Sequence, residues 1–177
     1  MLGDVDRQQS SREWLAQRPG SALRIETWEL DAKHLARPPK GVTHVVLDTP
    51  AGLKGERLDA VLAVSNKVIV PLQPSAFDMA ATEAFLTRLA AEKSVRKGRA
   101  EVAVVGMRVD LRTRSADELR HFVEGLGVPV LGYLRETQLY VQMAGQGLTL
   151  WDLSPARVER DLLQWLPLLR WVAGKGS

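Results

Sequence analysis

The chain has 177 residues, of which 45% are hydrophobic and 25% charged, with a formal net charge of +3; this fits one globular domain with a real core. The absence of cysteine excludes disulfides and thiolate metal sites and suits a reducing compartment. No apolar run approaches the ~18 residues of a membrane span, and the start, with Asp4, Asp6 and Arg7, shows no signal-peptide pattern.

MLGDV reads as a short strand whose end is rich in carboxylates, and a helix follows from Gln8 to about Gln17. RPGS breaks it at Arg18 to Ser21. LRIETW is a second strand candidate, and LDAKHLA a helical turn before Pro38-Pro39-Lys40-Gly41. THVVLD, KVIVPL and EVAVVGM are nearly continuous apolar runs, which predicts strands buried on both faces, as in a parallel sheet covered by helices. Helices are expected over Glu56 to Val64 and Ala76 to Lys93, the latter with Phe77, Ala81, Phe85 and Leu89 on its core face. Ser115 and Glu118 form a capping box for a helix with the stripe Leu119, Phe122, Val123 and Leu126, ended by Gly127. VPVLGYL is the last strand. A helix from about Glu136 to Ala144 stops at Gly145, and Ser154-Pro155 opens a final helix that Pro167 should bend or break. This alternation predicts one α/β domain, a parallel sheet with helices on both faces.

The charge is uneven. The pI is about 9.4, and Arg88, Lys93, Arg96, Lys97, Arg99, Arg108, Arg112 and Arg114 outnumber Glu92, Glu101 and Asp110 within one stretch. A solvated surface explains any single charge; a patch for phosphate or nucleic acid explains the cluster. His34, His44 and His121 are far apart and form no ligand spacing.

In open parallel sheets, ligands bind beyond the carboxyl ends of the strands. The first strand delivers Asp4, Asp6 and Gln8 there. THVVLD delivers Asp48, KVIVPL delivers Gln73 and Ser75, and EVAVVGM delivers Arg108, Asp110, Arg112 and Thr113. Carboxylates converging on one edge repel unless a cation lies among them, and Mg²⁺ suits oxygen ligands and usually accompanies phosphate. An apolar strand ending in Asp is common by itself, because Asp is also a turn and cap residue.

The combination is more specific. GDVDRQ, VVLDTPAG, VIVPLQPS and RVDLRT, in this order at strand ends, resemble the ParA/Soj/MinD family of deviant Walker ATPases, and its ParA branch in particular. The likeness runs through essentially the whole chain. It implies a three-layer Rossmann-like fold of the P-loop NTPase type, with a mostly parallel sheet. Family members begin with a strand, a loop K-G-G-x-G-K-[ST] and a helix before the strand ending D-x-D-x-Q. Here no G-x-x-x-x-G-K-[ST] run occurs; Gly174-Lys175 is followed by Gly176 and has Leu169 in the place of the first glycine. The resemblance therefore implies an N-terminally truncated ATPase domain over the whole chain, lacking a unit of roughly 30 or more residues. Such a loss exposes two sheet edges and part of an apolar face.

Residue by residue, the resemblance gives Asp6 the placing of the attacking water. It gives Asp48, the Walker B aspartate, and Asp4 the Mg²⁺, largely through water. Gln8, Arg108, Asp110, Arg112 and Thr113 fall on the nucleotide side. YLRETQ stands where many relatives have Ile-Pro-Arg, with Leu134 in the place of the proline. The implied cofactors of the complete protein are Mg²⁺ and ATP or ADP, bound very weakly or not at all by this chain, which lacks the phosphate-cradling amides. The implied partners are a second copy in a dimer, a ParB-like stimulating protein, and DNA bound without sequence preference through Arg96, Lys97, Arg99, Arg157, Arg160 and Arg170. The implied location is cytoplasmic and nucleoid-associated, and a docked last helix is favoured over a membrane-binding one. A cargo-positioning ATPase, inactive for turnover in this chain, is the first reading. A loop-less scaffold or dimerisation module is the second. An unrelated Rossmann-like enzyme is disfavoured, since no glycine fingerprint, Ser-His pair or metal cluster appears.

Overall fold

The structure is a computed structural model and describes residues 1–28 and 38–174. The helical turn expected over 30–36 lies outside the described residues. The elements are β1 Leu2–Asp4, α1 Ser10–Ala16, β2 Val46–Asp48, α2 Glu56–Val64, β3 Lys67–Leu72, α3 Ala76–Ala91, α4 Lys93–Arg96, β4 Glu101–Gly106, α5 Arg114–Glu124, β5 Val130–Tyr133, α6 Gln138–Ala144, a 3-10 turn Leu150–Asp152, and α7 Pro155–Val172. All strand pairs are parallel, as the α/β alternation predicts. The chain divides into two compact units, Met1–Val64 with Gln138–Ser154, and Ser65–Thr137 with Pro155–Ser177.

In the first unit, β1 and β2 pair with Leu2 opposite Val46, Gly3 opposite Leu47 and Asp4 opposite Asp48. LRIETW forms no strand of its own. It contributes one bridge from Thr27 to Leu2, with Leu2 N donating to Glu26 O and Trp28 N to Leu2 O. Trp28 is buried, which pins this segment beside β1. Val46 is 65% exposed, so β2 is not covered on both faces as its sequence predicts; its apolar character meets no covering element on that side among the described residues. Leu58 and Leu62 are the buried face of α2.

An ion pair ties distant segments of this unit. Arg18 donates from Nη2 and Nη1 to the two carboxylate oxygens of Asp152, at 2.8 and 2.9 Å. Its Nε and Nη1 also donate to Leu23 O and Gly147 O. Gly147 has φ +66°, and a Cβ added there would lie 2.5 Å from Arg18 N and Gln17 C. Both the left-handed backbone and the neighbouring main chain demand glycine. Gly147→Ala is expected to cost about 2–3 kcal/mol, read as a lowered urea midpoint at unchanged slope.

In the second unit, β4 lies between β3 and β5. Val70 stands opposite Val104, Pro71 opposite Val105 and Leu72 opposite Gly106. Partners across a parallel ladder point to the same face. One face therefore carries Val70, Leu72 and Val104, all buried. Here α3 packs on β3, and α5 brings Arg120 and Glu124 within electrostatic reach of Tyr133, whose hydroxyl burial pushes up in pKa. The other face carries the cluster Ala103, Val105, Leu131 and Leu134, closed by Trp165, Leu168 and Trp171 of α7. Helices thus lie on both faces of this sheet, with α7 over β4 and β5 and the outer face of β3 left open. Only the central strand β4 shows the continuous burial its sequence predicts; β3 alternates, with Ile69 and Pro71 exposed. The β4–β5 ladder is irregular before Tyr133. There Gly132, at φ +119°, lets the main chain of α7 pass 3.7 Å from where a Cβ would stand.

Four helix expectations are corrected. The buried face of α3 is Thr82, Leu86 and Leu89, while Phe77 is 91% exposed; Phe77 lies in the first turn, where the helix has only just begun. The cap of α5 is Thr113, whose side chain accepts from Ala116 N at 3.3 Å. Ser115 lies inside the helix, and Glu118 pairs with Arg114 instead of reaching back. This helix also ends at Glu124, with Gly125 and not Gly127 as its C-cap. Pro167 does not break α7, which runs on to Val172. Docking of Trp165, Leu168 and Trp171 spans the proline and offsets its missing hydrogen bond.

Candidate functional site

The first unit gathers carboxylates where β1 and β2 end together. Asp4 and Asp48 are register partners at the ends of the two strands. Asp4 Oδ2 accepts from the amides of Ser11 and Arg12 at 3.1 and 3.2 Å. Its Oδ1 accepts from Asp6 N at 3.0 Å. Those first two amides belong to the first turn of α1, whose own preceding residue Gln9 has φ +50° and makes no side-chain cap. Asp4 therefore caps α1 from the strand, satisfying donors that the helix cannot satisfy itself.

Ser11 joins the pair. Its amide goes to Asp4, and its hydroxyl donates to Asp48 Oδ2 at 2.6 Å. Such a short bond is charge-assisted. Among the described residues, Oδ1 of Asp48 takes no hydrogen bond and remains available as an oxygen ligand. Asp6 stands on the turn between β1 and α1 and accepts from Gln8 N at 3.1 Å; the Gln8 side chain itself is exposed. So the structure brings together Asp4 and Asp48, places Asp6 one turn away, and adds Ser11, which the sequence reading missed. A serine in the first turn after D-x-D was the available signal. No group of three or more His, Asp or Glu side chains able to hold a metal forms among the described residues. Asp48 suits a hydrated Mg²⁺ through its available oxygen, while both oxygens of Asp4 are already committed to amides.

The second unit places its polar residues beyond β4 and β5. Arg108 adopts φ +55°, unusual for a residue with a side chain. Its guanidinium donates to Glu136 Oε1 at 2.6 Å, and the same contact raises its pKa. Asp110 accepts from Arg112 Nε and Nη2, each at 2.9 Å, and from Arg112 N at 3.1 Å. Those bonds hold its carboxyl down at about 2. Thr113 donates from Oγ1 to Asp110 O at 2.7 Å and then caps α5. Asp110, Arg112 and Thr113 are thus one turn, and Arg108 is held apart from it by Glu136.

Beyond β5, Arg135 makes a buried pair with Asp161 of α7, from Nε to Oδ1 at 2.6 Å. The Asp161 side chain is only 2% exposed. Arg135 N also donates to Gln164 Oε1 at 3.0 Å. In YLRETQ, the arginine is therefore anchored to the last helix.

The six basic residues separate along the sheet. Arg96, Lys97 and Arg99 are exposed in and after α4, immediately before the start of β4. Arg170 lies at the same N-terminal edge, since neighbouring Trp171 stacks under Lys67 Nζ at 4.4 Å, where β3 begins. Arg157 and Arg160 lie near Asp161, at the opposite end. No helix among the described residues is long and apolar enough to cross a membrane.

No protein-family profile matches the chain, and no curated protein matches it. Solved structures do. The MinD cell division protein from Aquifex aeolicus is similar at 16% identity with a TM-score of 0.56, over 75% of this chain and 54% of that one. The MinC:MinD cell division protein complex from the same organism is similar at 13% identity with a TM-score of 0.57, over 78% and 54%. The chain spans about half the length of these structures. The parallel strands, the helices packed on them and this likeness together show that the chain has the Rossmann-like α/β fold of the MinD structures.

Proposed function

We propose that this chain supplies the metal- and water-positioning strand ends of a ParA/MinD-type switch ATPase. Nucleotide state then governs association with a second copy, a partner protein and cargo such as DNA. The observation that carries the reading is the register of Asp4 with Asp48 at the ends of β1 and β2, bridged by Ser11. A structural aspartate needs no second carboxylate beside it, and such a pair is costly unless a cation offsets it. The MinD likeness adds a fold on which this chemistry is at home.

In this reading Asp48 holds Mg²⁺ through water, Asp4 fixes the first turn of α1 beside it, and Asp6 orients the attacking water. Mg²⁺ supplies charge compensation for the phosphates. Gln8, Arg108, Asp110, Arg112 and Thr113 contribute to nucleotide binding in this reading. Arg96, Lys97, Arg99 and Arg170 share an edge suited to a phosphate backbone, with Arg157 and Arg160 a separate cluster. MinD is solved in complex with MinC, and by analogy this chain takes a protein partner.

A second reading, a scaffold without nucleotide chemistry, is favoured by one observation. Asp4 and Asp48 already have protein donors, so they need no ion to be satisfied.

The test compares the 177-residue chain with the protein isolated at its native length. The chain itself, which contains no phosphate-loop run, is expected to release no phosphate from Mg-ATP. On the ATPase reading, the protein as its own cell makes it hydrolyses Mg-ATP, with Asp6→Ala lowering turnover roughly 100-fold. Turnover by the chain alone that Asp6→Ala abolishes would overturn its expected inactivity. Native-length protein with no turnover, or with turnover indifferent to both Asp6→Ala and Asp48→Asn, overturns the ATPase reading in favour of the scaffold.

A further inference from the structure

The helix α7 has two faces with different fates. Val158, Asp161, Trp165, Leu168 and Trp171 turn toward the sheet. On the opposite side, Leu163 is 57% exposed and Leu166 38%. A shallow depression lies over the first half of this side, lined by Pro155, Ala156, Glu159, Leu162, Leu163 and Leu166.

The outer face has an order that scattered leucines would not. Glu159, Leu163, Leu166 and Arg170 follow one another at steps of four, three and four, which is the spacing of a coiled-coil seam. Read backwards, the same steps recur with the charge reversed at each end. An antiparallel pair of these helices, with its twofold axis between Leu163 and Leu166, sets Leu163 on the other copy's Leu166. It also sets Glu159 on the other copy's Arg170, twice by symmetry. A parallel pair would set Glu159 on Glu159 and Arg170 on Arg170, which repel. Neither Glu159 nor Arg170 holds an ion pair with any other described residue, so both are available.

We propose that this face of α7 is a self-association surface, on which two copies of the chain pair their last helices antiparallel. Leu163 and Leu166 form its apolar centre, and the Glu159–Arg170 pairs set its direction. This contact is separate from the nucleotide-governed association proposed above: it uses none of the strand-end carboxylates and requires no nucleotide.

The experiment is sedimentation equilibrium of the purified chain without nucleotide, from micromolar to hundreds of micromolar. A reversible species of twice the 19.6 kDa chain mass is expected. Leu163→Glu should leave only monomer, with an unchanged circular-dichroism melt because the residue is exposed. Glu159→Arg sets like charges opposite each other and should weaken association at least about tenfold. Adding Arg170→Glu to it should restore the dimer, a rescue that general damage to the helix would not give. A chain that stays monomeric throughout overturns the proposal. So does a dimer indifferent to Leu163→Glu, or a charge reversal that the double variant does not rescue. A monomer that floats with anionic lipid vesicles, and loses this with Leu163→Glu, also overturns it and gives the face to a lipid surface.

Discussion

Arg135→Ala is expected to lose about 3–5 kcal/mol of folding stability, the largest effect of any single change away from the apolar core. Asp161 is 2% exposed and bonded to Arg135 through both of its oxygens. Truncating the arginine leaves the buried Asp161 carboxylate, between α7 and the end of β5, without its two guanidinium donors. The cost is that of the abandoned charge and exceeds what the pair itself contributes. Urea unfolding of the variant should show a lowered midpoint with the slope kept. Arg135→Met combined with Asp161→Leu removes both charges and should regain most of the loss. A single variant within 1 kcal/mol of the parent would mean that another donor reaches Asp161.

The second large effect lies in the other unit and carries a pH signature. Arg18→Ala should cost about 3 kcal/mol near neutral pH, since the side chains of Arg18 and Asp152 are only 7% and 10% exposed. The Arg18 guanidinium, helped by the amide and hydroxyl of Thr149, holds the Asp152 carboxyl down at about 2, below its ordinary 3.8. A carboxylate depressed in the folded state contributes stability that is fully present above its unfolded value. That contribution is lost as pH falls through the folded value. The gap between parent and Arg18→Ala should therefore be flat near neutrality and close as pH drops from about 4 to about 2. Thermal melts of both proteins across that range would show it, and a gap that persists unchanged at the acid end would refute this account of Asp152.

What could be read in the sequence was what local pattern and composition decide. The bounds of α2 and β3 follow directly from ERLDAVLAV and KVIVPL, because periodicity and β-branching act over a few neighbours. The carboxylates of β1 and β2 were legible as strand ends, but their pairing in register depends on segments more than forty residues apart. Asp4 as the cap of α1 was not legible, since the helix is capped from another element while its own Gln9 makes no cap. The Ser115 box matched a good pattern in the wrong place; the turn made by Asp110 and Thr113 sets the helix start two residues earlier. Arg18 with Asp152 and Arg135 with Asp161 are charged residues that the sequence offers as surface. Only tertiary packing makes them buried pairs. For β2 and β3, an apolar run predicted burial on both faces, yet burial belongs to a strand's neighbours as much as to its residues.

The position of Pro71 reaches beyond its own strand. Leu72 accepts from Met107 N, so Leu72 and, by alternation, Val70 and Val68 aim their main-chain groups into the β4 ladder. Lys67, Ile69 and Pro71 aim theirs the other way, and proline has no amide hydrogen to offer. The outward margin of β3 is thus a template with its last donor missing. A strand arriving there finds the amides of Lys67 and Ile69, then a bare carbonyl at Pro71, and zips no further with full bonding. In deuterium exchange the strand should divide residue by residue, with Val70 and Leu72 slow and Ile69 fast. The same missing hydrogen that leaves the inner ladder untouched guards the outer margin against indiscriminate sheet growth.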